Sequence, residues 1–479
     1  MKKQILYSTS FVVSTYCSSV FGQQKPNVVL ILADDMRCTT MEFLDKEQCH
    51  TPVLNQLSQE SMVFTNAHIM GGTSGAVSMP SRGMLMTGKY LYKLENKGAT
   101  IPESHTLMGE VFKNAGYQTF HTGKWHNGKK AFNRCFQSGD DIFFGGMGDH
   151  WNVPLFHYDK KGEYRNTRKI INNMAFNNKP DTLMGEYAYS GKHSVDIFTD
   201  AAIRFIESQK EQEKPFFLSL CYMSPHDPRT MPDKFIQMYD STKILLPENY
   251  MQEHPFDNGE MKIRDEVLAR IPRVEDEVKR HIAEYYAMIS HLDERIGDVL
   301  LALKECGLYE NTIVIFAADN GLAVGQHGLL GKQNVYEHSV RIPLMIKMEG
   351  NNMMREDYDQ MCYLTDLFPT LCDYINEPIP SSVDGVSLMS VIRDHKQVRD
   401  YLYYAYRDCQ RGVSDGEWKL IEYNVKGERT FQLFNLKQDP YEINNLIDNK
   451  KLQKKVKELK VKMLQLRDET NDNSSFWKE

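Results

Sequence analysis

What this sequence has little of narrows its class before any motif is read. It holds 9 cysteines scattered through 479 residues, and no C-x-x-C pair or Cys/His spacing marks a zinc site. Cys221, Cys362 and Cys372 lie inside apolar runs, where a small buried thiol is the plain expectation. Positive charge is not in excess: 57 Lys and Arg stand against 64 Asp and Glu, for a net −7. That excludes the basic surface of a nucleic-acid binder, although a local basic pocket can still receive an anion. Past the N-terminal stretch no apolar run is long enough to span a bilayer, and no internal repeat is present.

What is there is ample for a large core. Hydrophobic residues make up 41% of the chain. Its length exceeds the roughly 250–300 residues that one core usually serves, so a large domain with a smaller partner is expected. At the N-terminus Lys2 and Lys3 precede an uncharged stretch, Ile5 to Phe21, that ends in Val20-Phe21-Gly22. This is the pattern of a secretion signal over 1–22, cleaved near Gly22, and it predicts a periplasmic or secreted protein. Tyr16, not a small residue, precedes Cys17, so lipidation is not expected there.

Apolar runs alternate with helical patterns along the chain. Asn27–Ala33, Phe216–Tyr222, Thr312–Ala318 and Leu344–Lys347 are continuous runs of the kind buried on both faces of a sheet. Ile282, Tyr285, Ile289, Leu292, Ile296, Val299 and Leu303 recur at helical steps, with Gly307 placed to end the helix. The alternation predicts an α/β fold with a mostly parallel sheet flanked by helices. Gly139 to Gly191, rich in Gly, Asn, Asp and aromatics, is expected to form long surface loops. From about 395 to 479 the chain changes character. Short strands at Tyr401–Tyr406, Trp418–Tyr423 and Phe431–Leu436, then a Lys-rich helix at Lys450–Arg467, predict a smaller antiparallel α+β subdomain after a large domain of 23–394.

Ligands of open parallel sheets bind beyond the carboxyl ends of the strands. Asp34 and Asp35 follow the first run, His226 and Asp227 the second, and Asp319 and Asn320 the third. Three carboxylates and an amide suit a hard cation such as calcium better than zinc, and like charges beyond a buried strand are costly without a positive partner. Ser78-Met-Pro-Ser-Arg82 marks a helix start. It fits an ordinary cap as well as an anion site.

Ser78-Met-Pro-Ser-Arg-Gly-Met-Leu-Met-Thr-Gly88 resembles the sulfatase signature, (Cys or Ser)-x-Pro-Ser-Arg-x-x-Leu-x-Thr-Gly, at every fixed position. Gly116-Tyr-Gln-Thr-Phe-His-Thr-Gly-Lys-Trp-His126 resembles the second sulfatase signature, departing mildly at Thr122. Gly328-Leu-Leu-Gly-Lys332, Asp415-Gly-Glu-Trp-Lys-Leu-Ile421 and Asp439-Pro-Tyr-Glu442 are also similar to family segments, so the resemblance covers nearly the whole mature chain.

The resemblance implies an alkaline-phosphatase-like fold, one calcium ion, and a formylglycine made by oxidising Ser78. A serine at this position resembles the form matured in bacteria by a radical-SAM enzyme. A hydrated aldehyde offers one hydroxyl to attack sulfur and a second to drive sulfate out, splitting a hard step into two. By the same resemblance Asp34, Asp35, Asp319 and Asn320, with modified Ser78, hold calcium. Arg82 steadies the modified residue, and Lys124 and Lys332 neutralise sulfate oxygens. His126 takes the proton that triggers sulfate release, and His226 protonates the departing alcohol.

Each of these side chains alone also fits a surface or packing role; their ordered set is what points to a site. A sulfated carbohydrate is the expected substrate, because the aromatic and polar loop with Trp151, His157, Tyr158 and Arg165 can stack on sugars. His193, Asp227, Arg229 and His327 are further candidates beside the site. Two alternatives stay open: a phosphate or phosphonate monoester hydrolase of the same superfamily, and a non-catalytic glycan-binding protein with Ser78 unmodified.

Overall fold

The computed structural model describes residues 25–172, 181–350 and 354–478, so the expected leader over 1–22 lies outside the described residues. The three long apolar runs form strands Asn27–Ala33, Phe216–Cys221 and Thr312–Ala318, every residue of them buried. Val, Ile and Leu facing both ways require cover on both sides of the sheet, and each such side chain contributes about 1.5–3 kcal/mol when removed from water.

Eight strands make the large sheet, in the order Glu356–Tyr358, Met62–Phe64, Leu344–Lys347, Thr312–Ala318, Asn27–Ala33, Phe216–Cys221, Gln118–Lys124, Ser138–Phe143. All neighbours run parallel except at Leu344–Lys347, which is antiparallel to both of its own. The expected amphipathic helix spans Glu275–Glu305 and buries Ile282, Tyr285, Ile289, Leu292, Ile296, Val299 and Leu303. Gly307, at φ 69°, stands just past its end. Register decides where the chemistry emerges. Ala33 lies opposite Ala318 and Leu32 opposite Cys221, so the chains leaving these strands surface side by side.

The 139–191 segment departs from the expected loops. Ser138–Phe143 is an edge strand, and Arg168–Asn172 pairs antiparallel with Asp181–Gly185. The edge strand reads Ser-Gly-Asp-Asp-Ile-Phe, with only its last three residues buried, so its first half carries no strand pattern. The hairpin leaves most of its side chains in water, which removes the apolar signal.

The smaller sheet follows expectation in type, but its outermost strand comes from elsewhere in the chain. Its order is Glu428–Asn435, Trp418–Val425, Gln410–Ser414, Leu402–Tyr406, Gly71–Gly72. The last is a two-residue parallel strand just upstream of Ser78. Gly71 has φ 101°, and a Cβ there would fall 2.1 Å from the Ala405 carbonyl oxygen, so no other residue fits. The loop that leads to Ser78 is thereby hydrogen-bonded to the small sheet. The Lys-rich C-terminal helix spans Gln453–Glu469 and buries Val456, Leu459 and Met463. All eight described cysteines are free, Cys221, Cys362 and Cys372 being buried. Among the described residues no helix is long and apolar enough to cross a membrane.

Candidate active site

The strand ends deliver their polar residues to one buried point. Asp34 and Asp319 continue the strand ladder, with Asp319 N–H donating to the Ala33 carbonyl at 3.1 Å and Asp34 N–H to that of Ser224 at 3.1 Å. Asp35 then turns back in a left-handed conformation, φ 67°, which costs roughly 1–2 kcal/mol for a residue with a Cβ. Tyr285 of the long helix holds that turn, its hydroxyl donating to the Asp35 carbonyl at 2.7 Å. Asp34, Asp35, Asp319 and Asn320 are each at most 1% exposed.

Three cations meet these three acids. Lys332 Nζ donates to Asp35 Oδ1 and Oδ2 at 2.6 and 2.7 Å. Arg82 Nε donates to Asp319 Oδ2 at 2.7 Å, and Lys124 Nζ to Asp34. All are at most 3% exposed, so removing one partner of a pair strands a buried charge. The balance is uneven. Burial alone would raise Asp34, but Lys124, His226, Arg82 and Lys332 together hold its carboxyl well below the usual range. Burial and then the like charge of Asp34 push Asp319 up to about 6.

Ser78 sits at the focus. It opens the Ser78–Thr87 helix, and its hydroxyl lies 2.8 Å from Asp34 Oδ1, as donor, and 3.2 Å from Asn320 Oδ1. Pro80 is the third residue of that helix rather than its first, and Val77, which lends no side-chain cap, precedes Ser78. Ser81 secures the helix from below, its hydroxyl donating to the Asp319 carbonyl at 2.5 Å.

Two histidines flank this focus. His126 follows the Gln118–Lys124 strand by two residues. Burial first, then Lys124 and Arg82, hold its imidazole well below the ordinary value, so it is neutral at pH 7. A Cβ on Gly146 would lie 2.8 Å from its Nε2, so Gly146 is what gives this ring its room. His226 donates Nδ1–H to the Asp227 carbonyl at 2.8 Å, and its Nε2 stands 3.6 Å from Asp35 Oδ2. A carbonyl only accepts, so this bond leaves Nε2 as the nitrogen on the acid side of the ring.

The chemistry of the donor set suits a metal. Ligand atoms of Asp34, Asp35 and His226 lie within 4.8 Å of one another. The Asn320 amide donates to Asp35 at 2.7 Å, leaving its Oδ1 toward Ser78. Carboxylate and amide oxygens converging on one buried volume fit a hard divalent cation.

The remaining candidates divide. Asp227 and Arg229 lie in the loop beside His226. The Asp227 carboxylate is held by both terminal nitrogens of Arg264, one at 2.8 Å, while an Arg229 Nη bonds His281 Nδ1 at 2.8 Å. His193 caps the Ser194–Ser208 helix, donates to the Thr230 carbonyl at 3.0 Å, and stacks on His150. His327 is not brought to the cluster; it donates to the Glu442 carbonyl at 3.0 Å and stacks on Tyr336 at 3.9 Å. Trp151 packs edge-on against His193, Tyr158 donates to the Phe136 carbonyl, His157 stacks on Tyr187, and Arg165 pairs with Glu163 in solvent.

Arg264, which grips Asp227, Asp265, which accepts from Arg264, and Gln333, which donates to Asp265, have no counterpart among the expected residues. Arg264 and Asp265 lie in a short 3-10 turn without periodicity.

A sulfatase family profile matches residues 26–377, and one described as N-sulphoglucosamine sulphohydrolase, C-terminal, matches 325–469. An arylsulfatase of Clostridium perfringens is 28% identical over 93% of this chain and 95% of its own. The N-acetylglucosamine-6-O-sulfatase of Bacteroides thetaiotaomicron is 24% identical over 95% and 88%. Among solved structures, BT4656 in complex with its substrate D-glucosamine-2-N,6-O-disulfate superposes with a TM-score of 0.75, at 20% identity over 95% of this chain and 100% of the other. The phosphonate monoester hydrolase of Agrobacterium radiobacter superposes at 0.68, with 18% identity over 93% and 96%. These likenesses place the fold in the alkaline-phosphatase-like class.

Proposed function

The chain belongs to the sulfatase family of sulfuric ester hydrolases, and from that premise we propose that it removes sulfate from a sulfated carbohydrate. We assign the nucleophile to a formylglycine made from Ser78 by a radical-SAM maturing enzyme, and one calcium ion to Asp34, Asp35, Asp319 and Asn320 with modified Ser78. One observation carries this reading: the Ser78 hydroxyl lies 2.8 Å from Asp34 and 3.2 Å from Asn320, inside a ring of Lys124, Arg82 and Lys332. The carbohydrate class is supported by relatives whose names specify sulfated sugars. A periplasmic or secreted location rests on the leader-like pattern over 1–22.

Calcium, when bound, supplies a Lewis acid toward sulfate oxygens, and the aldehyde hydrate supplies two hydroxyls on one carbon. The chain's own residues do the rest. Lys124 and Lys332 are fixed ammonium groups where negative charge grows, in a dry site where such groups count most. Arg82 spans Asp319, the Lys124 carbonyl at 2.9 Å and the Tyr222 carbonyl at 3.4 Å, so it holds three walls of the site in register. Neutral His126 is able to take a proton from position 78. His226 presents Nε2 toward the acid cluster and gives its proton to the ester oxygen as the alcohol leaves, a role usually contributing about 10²–10⁴-fold.

The test pairs two measurements on protein co-produced with the maturase. Intact-mass analysis of the Ser78 peptide should give a species about two daltons lighter than serine, the two hydrogens that oxidation removes. Sulfate release should then be found in a panel of sulfated mono- and oligosaccharides run beside phenyl phosphonate and phosphate monoesters. Faster phosphonate or phosphate turnover would move the assignment to the other ester class. Unmodified Ser78 without turnover would leave a glycan-binding protein.

A further inference from the structure

We propose that Arg264 is a positioning residue for His226, acting through Asp227 to keep the Nε2 face of the ring on the ester oxygen. The inference rests on the assignment of His226 as proton donor to the leaving alcohol. Arg264 lies in a stretch, 257–268, that none of the family-like segments reaches.

The geometry is a closed ring of contacts. His226 bonds the Asp227 carbonyl through Nδ1 at 2.8 Å, and the same nitrogen lies 3.3 Å from Asp227 Oδ1. Asp227 is gripped by the Arg264 fork, whose Nε and Nη2 also reach Asp265 Oδ1 at 2.9 and 2.6 Å. Asp265 Oδ2 accepts from Gln333 at 2.7 Å, and Gln333 adjoins Lys332, which returns to Asp35 beside His226. The amide of Gln333 also donates to the Gly75 carbonyl at 3.0 Å, three residues before Ser78. One guanidinium therefore fixes the spacing between the histidine loop, the lysine loop and the nucleophile loop. A bidentate fork constrains direction as well as distance, which a single ammonium does not.

The proton step balances as follows. As an oxygen at position 78 bonds to sulfur and the bond from sulfur to the ester oxygen breaks, the electron pair of the broken bond stays on the ester oxygen, which takes the Nε2 proton of the doubly protonated His226 ring and leaves that ring as its neutral Nδ1–H tautomer. The Nδ1 proton remains on the ring, bonded to Asp227. Arg264 exchanges nothing; it keeps the ring from rotating away.

A double-mutant cycle tests this on the matured, calcium-loaded enzyme. Wild type, Arg264→Gln, His226→Ala and the double variant are assayed on the sulfated monosaccharide that the panel selects. Arg264→Gln should lower kcat roughly 10–100-fold, part of what a general acid contributes, with little change in KM, and Arg264→Lys should recover part of the loss. In the His226→Ala background Arg264→Gln should do nothing further, because the group it positions is gone. An equal loss in both backgrounds would overturn the inference and make Arg264 merely structural. Wild-type kcat in His226→Ala would instead remove the proton-donor assignment beneath it. For variants too slow to assay, ¹⁵N spectra of histidine-labelled protein, recorded where the His226 ring is neutral, should show its Nδ1–H tautomer in wild type and a mixture of tautomers in Arg264→Gln; an unchanged spectrum also counts against the inference.

Discussion

The loop that follows the Thr312–Ala318 strand serves two clusters of buried charge, and they differ in what they leave unused. At the rim, Asp34, Asp35 and Asp319 face Lys124, Arg82 and Lys332. In the second cluster Lys419 lies between Glu337, at 2.8 Å, and Glu442, at 3.0 Å, with His68 on the far oxygen of Glu337. Both crowd like charges. Burial with Asp34 pushes Asp319 up to about 6, and burial with Glu337 pushes Glu442 up to about 7. The rim, however, surrounds the Ser78 hydroxyl, whereas the Lys419 cluster ties the small sheet to the loop after that strand. Crowded buried charge alone therefore does not tell the two clusters apart; the hydroxyl at the focus of the rim does.

Ser78→Ala should separate the two most sharply. It should lower kcat by about 10⁵-fold or more, as loss of a nucleophile does, while costing only about 1–3 kcal/mol of stability for the lost hydrogen bond to Asp34. Sulfate release and urea unfolding measure the two effects, and near wild-type turnover would defeat the assignment. Chelation comes next. EGTA should reduce turnover by roughly 10³-fold, the several kcal/mol a Lewis acid supplies, and added calcium should restore it. Full activity in metal-free protein would rule the cation out.

Lys419→Met reverses the pattern. It leaves Glu337 and Glu442 buried without their shared cation, which should cost about 3–5 kcal/mol, while kcat of the folded fraction stays at the wild-type value. A fall in kcat with stability unchanged would erase the distinction between the clusters.

The rim was legible because its residues sit at the ends of continuous apolar strands, so position along the chain and position in space coincide. Asp34, Asp319 and His226 could be placed from the strands alone, and the two signatures supplied Ser78, Arg82, Lys124 and His126. The Lys419 cluster was only partly visible, since Lys419 and Glu442 stood in family-like segments but nothing tied them to Glu337. Its contacts join residues distant in the chain, and no periodicity records such a pairing. The Arg264 turn was invisible for the same reason, being an irregular stretch whose importance comes only from what folds against it. The edge strand Ser138–Phe143 was missed because half of it faces water. His327, expected beside the site, lies instead against the Glu442 carbonyl and the Tyr336 ring.

The smallest expected effect concerns how the second cluster responds to pH. An unfolded glutamate titrates near 4.3, whereas burial, reinforced by Glu337 and opposed by Lys419, pushes Glu442 up to about 7 in the fold. The native state therefore keeps a proton that the unfolded chain releases. Its contribution is fully present below about pH 4.3, declines between there and about 7 by at most about 1.4 kcal/mol per pH unit, and is gone above. Glu266 and Asp293, also pushed up to about 7 by burial, add slopes of the same sign, so the quantity to measure is wild type minus variant. Glu442→Gln, neutral at every pH, should flatten the urea-unfolding free energy between pH 5 and 7 relative to wild type, by on the order of 1–3 kcal/mol across that interval. Identical slopes in the two proteins would mean that Glu442 stays ionised beside Lys419, and that the second cluster, unlike the rim, is fully compensated.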